Sequence, residues 1–203
     1  MGSDQPARIE GAGIPPTAAA WEAAFDRALP YAAFLEQHGT GDQRARWQAV
    51  HDRVVLTEPQ RALLGSFVRQ MPVLVVAGAW CGDCVSQCPA LEKFAAACPA
   101  IVLRFLDRDI LPEIAGHLRV CGGQRVPVAA FFSEDYTLVA SYGDRTLSAY
   151  RAAARQSGIG CATGIVPPAA DALATVTAEW LEQFERVQLI LRLSARLRQL
   201  HGD

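Results

Sequence analysis

The chain has 203 residues, 51% of them hydrophobic and 20% charged, with a formal net charge of -2. That balance excludes a disordered or fibrous chain and is enough to bury one substantial core. It also offers no basic footprint for nucleic acid, which is not expected as a partner. The single lysine, Lys93, among 19 basic residues reads as coding bias and carries no function.

Residues 1–16 are rich in Gly, Pro and Ala and read as an arm. Trp21, Phe25, Ala28 and Ala32 recur at helical spacing, with Pro30 expected to break the segment in two. Trp47, Val50 and Val54 mark a second helix. Thr57 with Gln60 three residues on is a capping box for a third, whose apolar face is Leu63, Leu64, Phe67 and Val68. These helices, within residues 1–70, are expected to cover the domain that follows. Asp4, Glu10, Glu22 and Asp26 interrupt the first 30 residues, so no signal peptide is expected, and no stretch is long enough to span a bilayer. A cytoplasmic address is the expectation. There structural disulfides are rare, so the six cysteines point to catalysis or metal before a disulfide scaffold.

From Pro72 the period changes. Val73 to Ala79 is a continuous apolar run, as a strand buried on both faces requires. A helix is predicted over Gly82 to Ala97 with Pro89 inside it, then a strand over Ile101 to Leu106 ending in Asp107-Arg108-Asp109. A helix from Pro112 through Val120 follows, closed by Gly122-Gly123. Val126 to Phe132 is a third strand, Ser133-Glu134-Asp135 a turn, Thr137 to Tyr142 a fourth strand and Thr146 to Gln156 a helix. The order over residues 71–157 is β-α-β-α-β-β-α. In residues 158–203, a Gly-rich link leads to a helix striped by Leu173, Val176, Trp180, Phe184, Val187 and Leu191, expected to pack on the same domain, with a dimer interface as the alternative.

Cys81 and Cys84 leave the first strand on the first turn of a helix. Only a thiolate attacks, and unpaired N-H groups at a helix N-terminus favour one, so Cys81 is expected to have a lowered pKa and to be the nucleophile. Cys84, one turn on along the same face, is the expected resolving thiol. Cys88 extends the series to C-x2-C-x3-C. With Cys98 or Cys121 as a fourth ligand this would suit zinc or an iron-sulfur cluster, although a cysteine inside an apolar helix is usually a small hydrophobe. Cys98 is expected to be inert, and Cys121 and Cys161, in Gly-rich loops, to be exposed. Gly158 to Gly164 lacks the ending of a phosphate loop, and the four histidines lack metal spacing.

Trp80-Cys81-Gly82-Asp83-Cys84, Pro89 five residues beyond, Val126-Pro127 at the start of the third strand, and Gly143 after the hairpin come in one order. On these residues the chain resembles the thioredoxin superfamily, over roughly residues 71–155. The helical cover, Asp107-Arg108-Asp109 and Tyr142-Gly143-Asp144-Arg145 are similar to a poorly characterised bacterial branch of it. The resemblance implies an α/β thioredoxin fold: a mixed four-stranded sheet flanked by helices, here with helical N- and C-terminal extensions. It implies a redox-active Cys81/Cys84 pair, a cis Pro127 beside it, a Val126 backbone that pairs with extended substrate, and Trp80, Gly82 and Asp83 as positioning or docking residues. Asp83 stands where the family has proline, and its charge is expected to raise the Cys81 pKa and make the protein reductant-like. Val75 stands where the family has a buried aspartate. Asp107 is a substitute proton relay on one reading and a solvated turn residue on the other. Arg125 and Arg145 are expected to be solvated, with contacts to acidic substrates as the alternative.

The leading expectation is therefore a thiol-disulfide oxidoreductase acting on protein or small-molecule disulfides, with no organic cofactor and no metal, fed by a reductase or thiol pool. Its rivals are a non-catalytic adaptor with a vestigial dithiol and the Cys81/Cys84/Cys88 metal site.

Overall fold

The computed structural model describes residues 15–158 and 171–203. Four helices come first: α1 (Ala18–Arg27), α2 (Tyr31–His38), α3 (Gly41–Arg53) and α4 (Glu58–Gly65). Thr40 and Thr57 cap α3 and α4 with complete capping boxes, each hydroxyl accepting the N-H of a glutamine whose side chain returns to the threonine N-H. Pro30 ends the first periodic segment as expected, but the stripe does not continue through it. Tyr31, Phe34 and Leu35 are buried, and Ala32 faces out. Proline restarts the helix on a new phase, so a period counted across it fails.

The sheet is built from β1 (Met71–Ala77), β2 (Ile101–Asp107), β3 (Val128–Phe132) and β4 (Leu138–Gly143), in the order β2-β1-β3-β4. β1 runs parallel to β2 and antiparallel to β3, and β3 is antiparallel to β4. All seven residues of β1 are buried, which explains why it reads as an unbroken apolar run. α5 (Gly82–Ala97) crosses from β1 to β2, and α7 (Leu147–Gln156) follows β4. This is the α/β thioredoxin fold, with helical segments before and after it.

Several boundaries differ from expectation. β1 starts at Met71, because Pro72 lies outside the stretch Val73–Val76 that pairs with β3. The helix after Pro112 lasts only to Ala115 as α6 (Pro112–Ala115), and Val120 instead bridges to Gly123 in a tight turn. Val126 and Pro127 precede β3. Val68, placed on the apolar face of α4, lies beyond that helix and is exposed, while Phe67 is buried.

The C-terminal stripe forms α8 (Ala172–Leu193), whose Trp180, Phe184, Val187 and Leu191 are buried. Phe184 meets Phe94 of α5 and Phe131 of β3 edge-on, at centroid separations of 5.2 and 5.0 Å. The helix does not run on to the terminus. Ser194 ends it and caps α9 (Ala195–His201). Among the described residues no helix is long and apolar enough to cross a membrane. Cys161, the Gly158–Gly164 stretch beyond Gly158 and most of the N-terminal arm lie outside the described residues.

Candidate active site

β1 delivers the chain through Gly78 and Ala79 to Trp80, and the Cys81 N-H closes the turn on the Gly78 carbonyl at 3.0 Å. Cys81 occupies the N-cap of α5, half-buried, and Cys84 is fully buried one turn on. The Val126-Pro127 peptide is cis, and the Cys81 thiol donates to the Val126 carbonyl at 3.4 Å. The two cysteines and the residue before the proline are thus one cluster, although Val126 is 45 positions further along the chain.

The expected lowering of the Cys81 pKa is not what the reduced pair shows. Sharing a hydrogen bond with the Cys84 thiol pushes Cys81 up, and burial and the Cys84 charge add to this. The N-H groups of Cys84 and Asp83 pull it down, as a helix N-terminus should, but are outweighed. Cys84 is raised chiefly by burial. Val75 is fully buried in β1.

Asp83 does not confront Cys81 as a free charge. Arg145 holds its carboxylate Oδ2 through Nε at 3.0 Å and a second guanidinium nitrogen at 2.9 Å, which corrects the expectation of a solvated Arg145. Arg125 is likewise paired, to Asp144 at 3.4 Å. Trp80 is 47% exposed, lies over Gly78 so closely that a Cβ there would come within 2.7 Å of the indole, and carries the Arg108 guanidinium 4.8 Å from its ring centre. Gly82 opens the helix with free space on its outward side. Asp107 accepts the Asp109 N-H at 3.0 Å and so closes the turn after β2. Among the described residues no hydrogen bond joins it to either thiol.

Gly143, with a φ of +150°, passes against the cis peptide, where a Cβ would lie 2.3 Å from the Pro127 carbonyl oxygen and 2.8 Å from the Val128 Cα. The next residue, Asp144, is buried, joined to Gly143 by a cis bond, and accepts from the Tyr150 hydroxyl. Gln87, also buried, donates to the Asp83 carbonyl at 3.1 Å and the Asp144 carbonyl at 2.9 Å, and accepts the Trp180 indole N-H at 2.9 Å. From the other side the Trp47 indole donates to the Ala79 carbonyl at 2.9 Å. Sequence reasoning placed Trp47 on a covering helix and Trp180 on the stripe of the C-terminal helix, and gave no role to Gln87, Arg108 or Asp144 at the site. The contacts that bring them to the site, Trp47 to Ala79, Gln87 to Asp144 and Trp180, and Arg108 to Trp80, join residues distant in sequence, which leaves no local signal.

Cys88 is fully buried on the Cys84 face of α5, Cys98 is buried at its far end and Cys121 is exposed. Among the described residues no group of three or more His, Cys, Asp or Glu is arranged to hold a metal ion.

A family model described as thioredoxin matches residues 29–155, more than half of the chain. No curated protein matches. Among solved structures, a protein of unknown function from Pseudomonas aeruginosa is 21% identical, with a TM-score of 0.57 over 87% of this chain and 98% of its own. An HIV epitope scaffold is 17% identical, with a TM-score of 0.53 over 90% of this chain and 98% of its own. At these identities the two structures speak for the fold alone. With the four-stranded sheet, the paired cysteines at the head of α5 and the cis proline facing them, the match over residues 29–155 establishes that the chain belongs to the thioredoxin family.

Proposed function

We propose that the protein is a thiol-disulfide oxidoreductase that acts through Cys81 and Cys84. The observation that carries this reading is the Cys81 thiol at the mouth of the site, 3.4 Å from the carbonyl preceding a cis proline, with Cys84 buried behind it. The Cys81 thiolate attacks one sulfur of a substrate disulfide, forms a mixed disulfide and releases the other sulfur as a thiolate that takes up a proton. Cys84 then attacks the Cys81 sulfur, closing the Cys81-Cys84 disulfide and releasing the second substrate thiol. The substrate gains two electrons and the protein loses two, which a reductase or thiol pool returns.

Val126 and Pro127 form the edge against which an extended substrate pairs, and Trp80 with Arg108 forms the flank. Asp83, tied to Arg145, and Gly82 shape the approach. No organic cofactor is needed, and a reducing compartment, which we take to be the cytoplasm, suits the direction. A dithiol whose thiolates are not stabilised gives up electrons readily, because stabilising the reduced form is what makes a strong oxidant. Here burial and the shared thiol hydrogen bond leave neither thiolate stabilised, so the pair lacks the feature that makes a strong oxidant.

Equilibration of the protein in glutathione and dithiothreitol buffers, with mass-spectrometric mapping of each cysteine, tests the reading. A reversible Cys81-Cys84 disulfide with a potential near the thioredoxin value of roughly -270 mV is expected. A pair that stays reduced against strongly oxidising buffers removes it. Replacing both cysteines by serine then distinguishes an adaptor, which would keep its partner, from the enzyme, which would lose turnover.

A further inference from the structure

The helical segments before and after the sheet in the chain have no task in the reaction as written, yet each sends one buried tryptophan toward the dithiol, Trp47 to the loop before Cys81 and Trp180 to Gln87 of α5. From α3, Trp47 reaches the carbonyl of Ala79, two residues before Cys81. Both residues are fully buried, and the indole N-H lies 2.9 Å from the oxygen. From α8, the Trp180 N-H holds the Gln87 side-chain oxygen at 2.9 Å, and the Gln87 amide group spans the carbonyls of Asp83 and Asp144. The first turn of α5 is thereby tied to the segment that passes the cis proline.

These contacts fix the peptide planes on both sides of Cys81. The N-H groups of Asp83 and Cys84 that support a thiolate on Cys81 act only if the first turn of α5 keeps its orientation to the sulfur. If either indole N-H is lost, a buried acceptor is left unpaired, and the loop must shift to satisfy it. We propose that Trp47 and the Trp180-Gln87 pair are positioning residues of the Cys81-Cys84 site, which makes both helical extensions part of the redox machinery rather than separate interaction modules. This inference rests on the thiol-disulfide reading above.

Trp47→Phe and Trp180→Phe in the full chain each keep a large buried ring and remove only the N-H. Cys81 alkylation by iodoacetamide is followed from about pH 5 to about pH 10, beside the thermal midpoint. In each variant the profile should move up by about half a unit to one unit, slowing alkylation at neutral pH by roughly 3- to 10-fold. Profiles that superimpose on the wild type overturn the inference, however far the thermal midpoint falls, because a purely structural tryptophan would change the midpoint and leave the profile in place. If Trp47→Phe does not fold, Trp180→Phe decides alone, since it acts on the opposite end of the same turn. Wild-type protein is read first: if its Cys81 does not exchange with glutathione, the oxidoreductase reading falls and takes this inference with it. Normal wild-type exchange with unshifted variants removes the inference alone.

Discussion

The carboxylate of Asp83, adjacent in sequence to the motif cysteines, would by itself oppose a thiolate on Cys81, and the Arg145 fork cancels much of that effect. Both partners are about one-third exposed, so solvent screens what remains. Replacing Arg145 by methionine should leave Asp83 unpaired and disfavour the Cys81 thiolate further, slowing iodoacetamide alkylation of Cys81 at neutral pH by roughly 2- to 3-fold. An unchanged rate would mean that Cys81 does not sense the Asp83 charge. Asp144 offers a pH test. Burial pushes its carboxyl up, but the Tyr150 hydroxyl, its own backbone N-H and Arg125 outweigh that and hold it below the usual range. A carboxyl lowered in the folded state contributes stability that is present above its unfolded value near about 3.9 and lost as pH falls through the folded value. The thermal midpoint should therefore fall on acidification below about pH 4, and Asp144→Asn should have a shallower slope there. Tyr150→Phe, which removes one donor to that carboxylate, should cost about 1 to 2 kcal/mol in urea denaturation at neutral pH.

Between elements, the tightest constraint lies where the end of β4 passes the turn before β3. Gly143 has both a left-handed-side φ and no room for a Cβ against the Pro127 carbonyl, so a side chain there must displace backbone. Gly143→Ala should destabilise the protein by roughly 2 to 5 kcal/mol and slow disulfide reduction as the cis-proline edge moves, with denaturation and turnover measured on the same preparation. The elements themselves were largely legible in the sequence. Thr57 and Gln60 announce α4, and the apolar run after Pro72 announces a central strand, because capping and two-sided burial are properties of consecutive residues. The helix after Pro112 stops at Ala115 instead of running through Val120, since Gly116 and the Val120-Gly123 bridge draw the chain into turns. Periodicity alone cannot register that competition.

Across the whole molecule, α8 is part of the core, with Phe184 wedged between Phe94 and Phe131. Phe184→Ala should cost about 3 to 5 kcal/mol, and near-UV and far-UV circular dichroism should still report one coincident unfolding transition. A separate early transition of the C-terminal helix would contradict this shared core. The sequence by itself determined the order of strands and helices along the chain and the dithiol at the head of α5, because each follows from residues close together in the chain, while the proline facing the dithiol was legible only through the resemblance, since Val126 lies 45 positions beyond Cys81. Only the tertiary structure decided which charges cancel and which polar groups are shared. Arg145 finds Asp83 across 62 positions, Trp180 finds Gln87 across 93 and Trp47 finds Ala79 across 32. Such partnerships arise because a buried donor or acceptor must be satisfied by whatever the folded chain brings within reach, and that is set by the packing of helices on the sheet, not by local spacing.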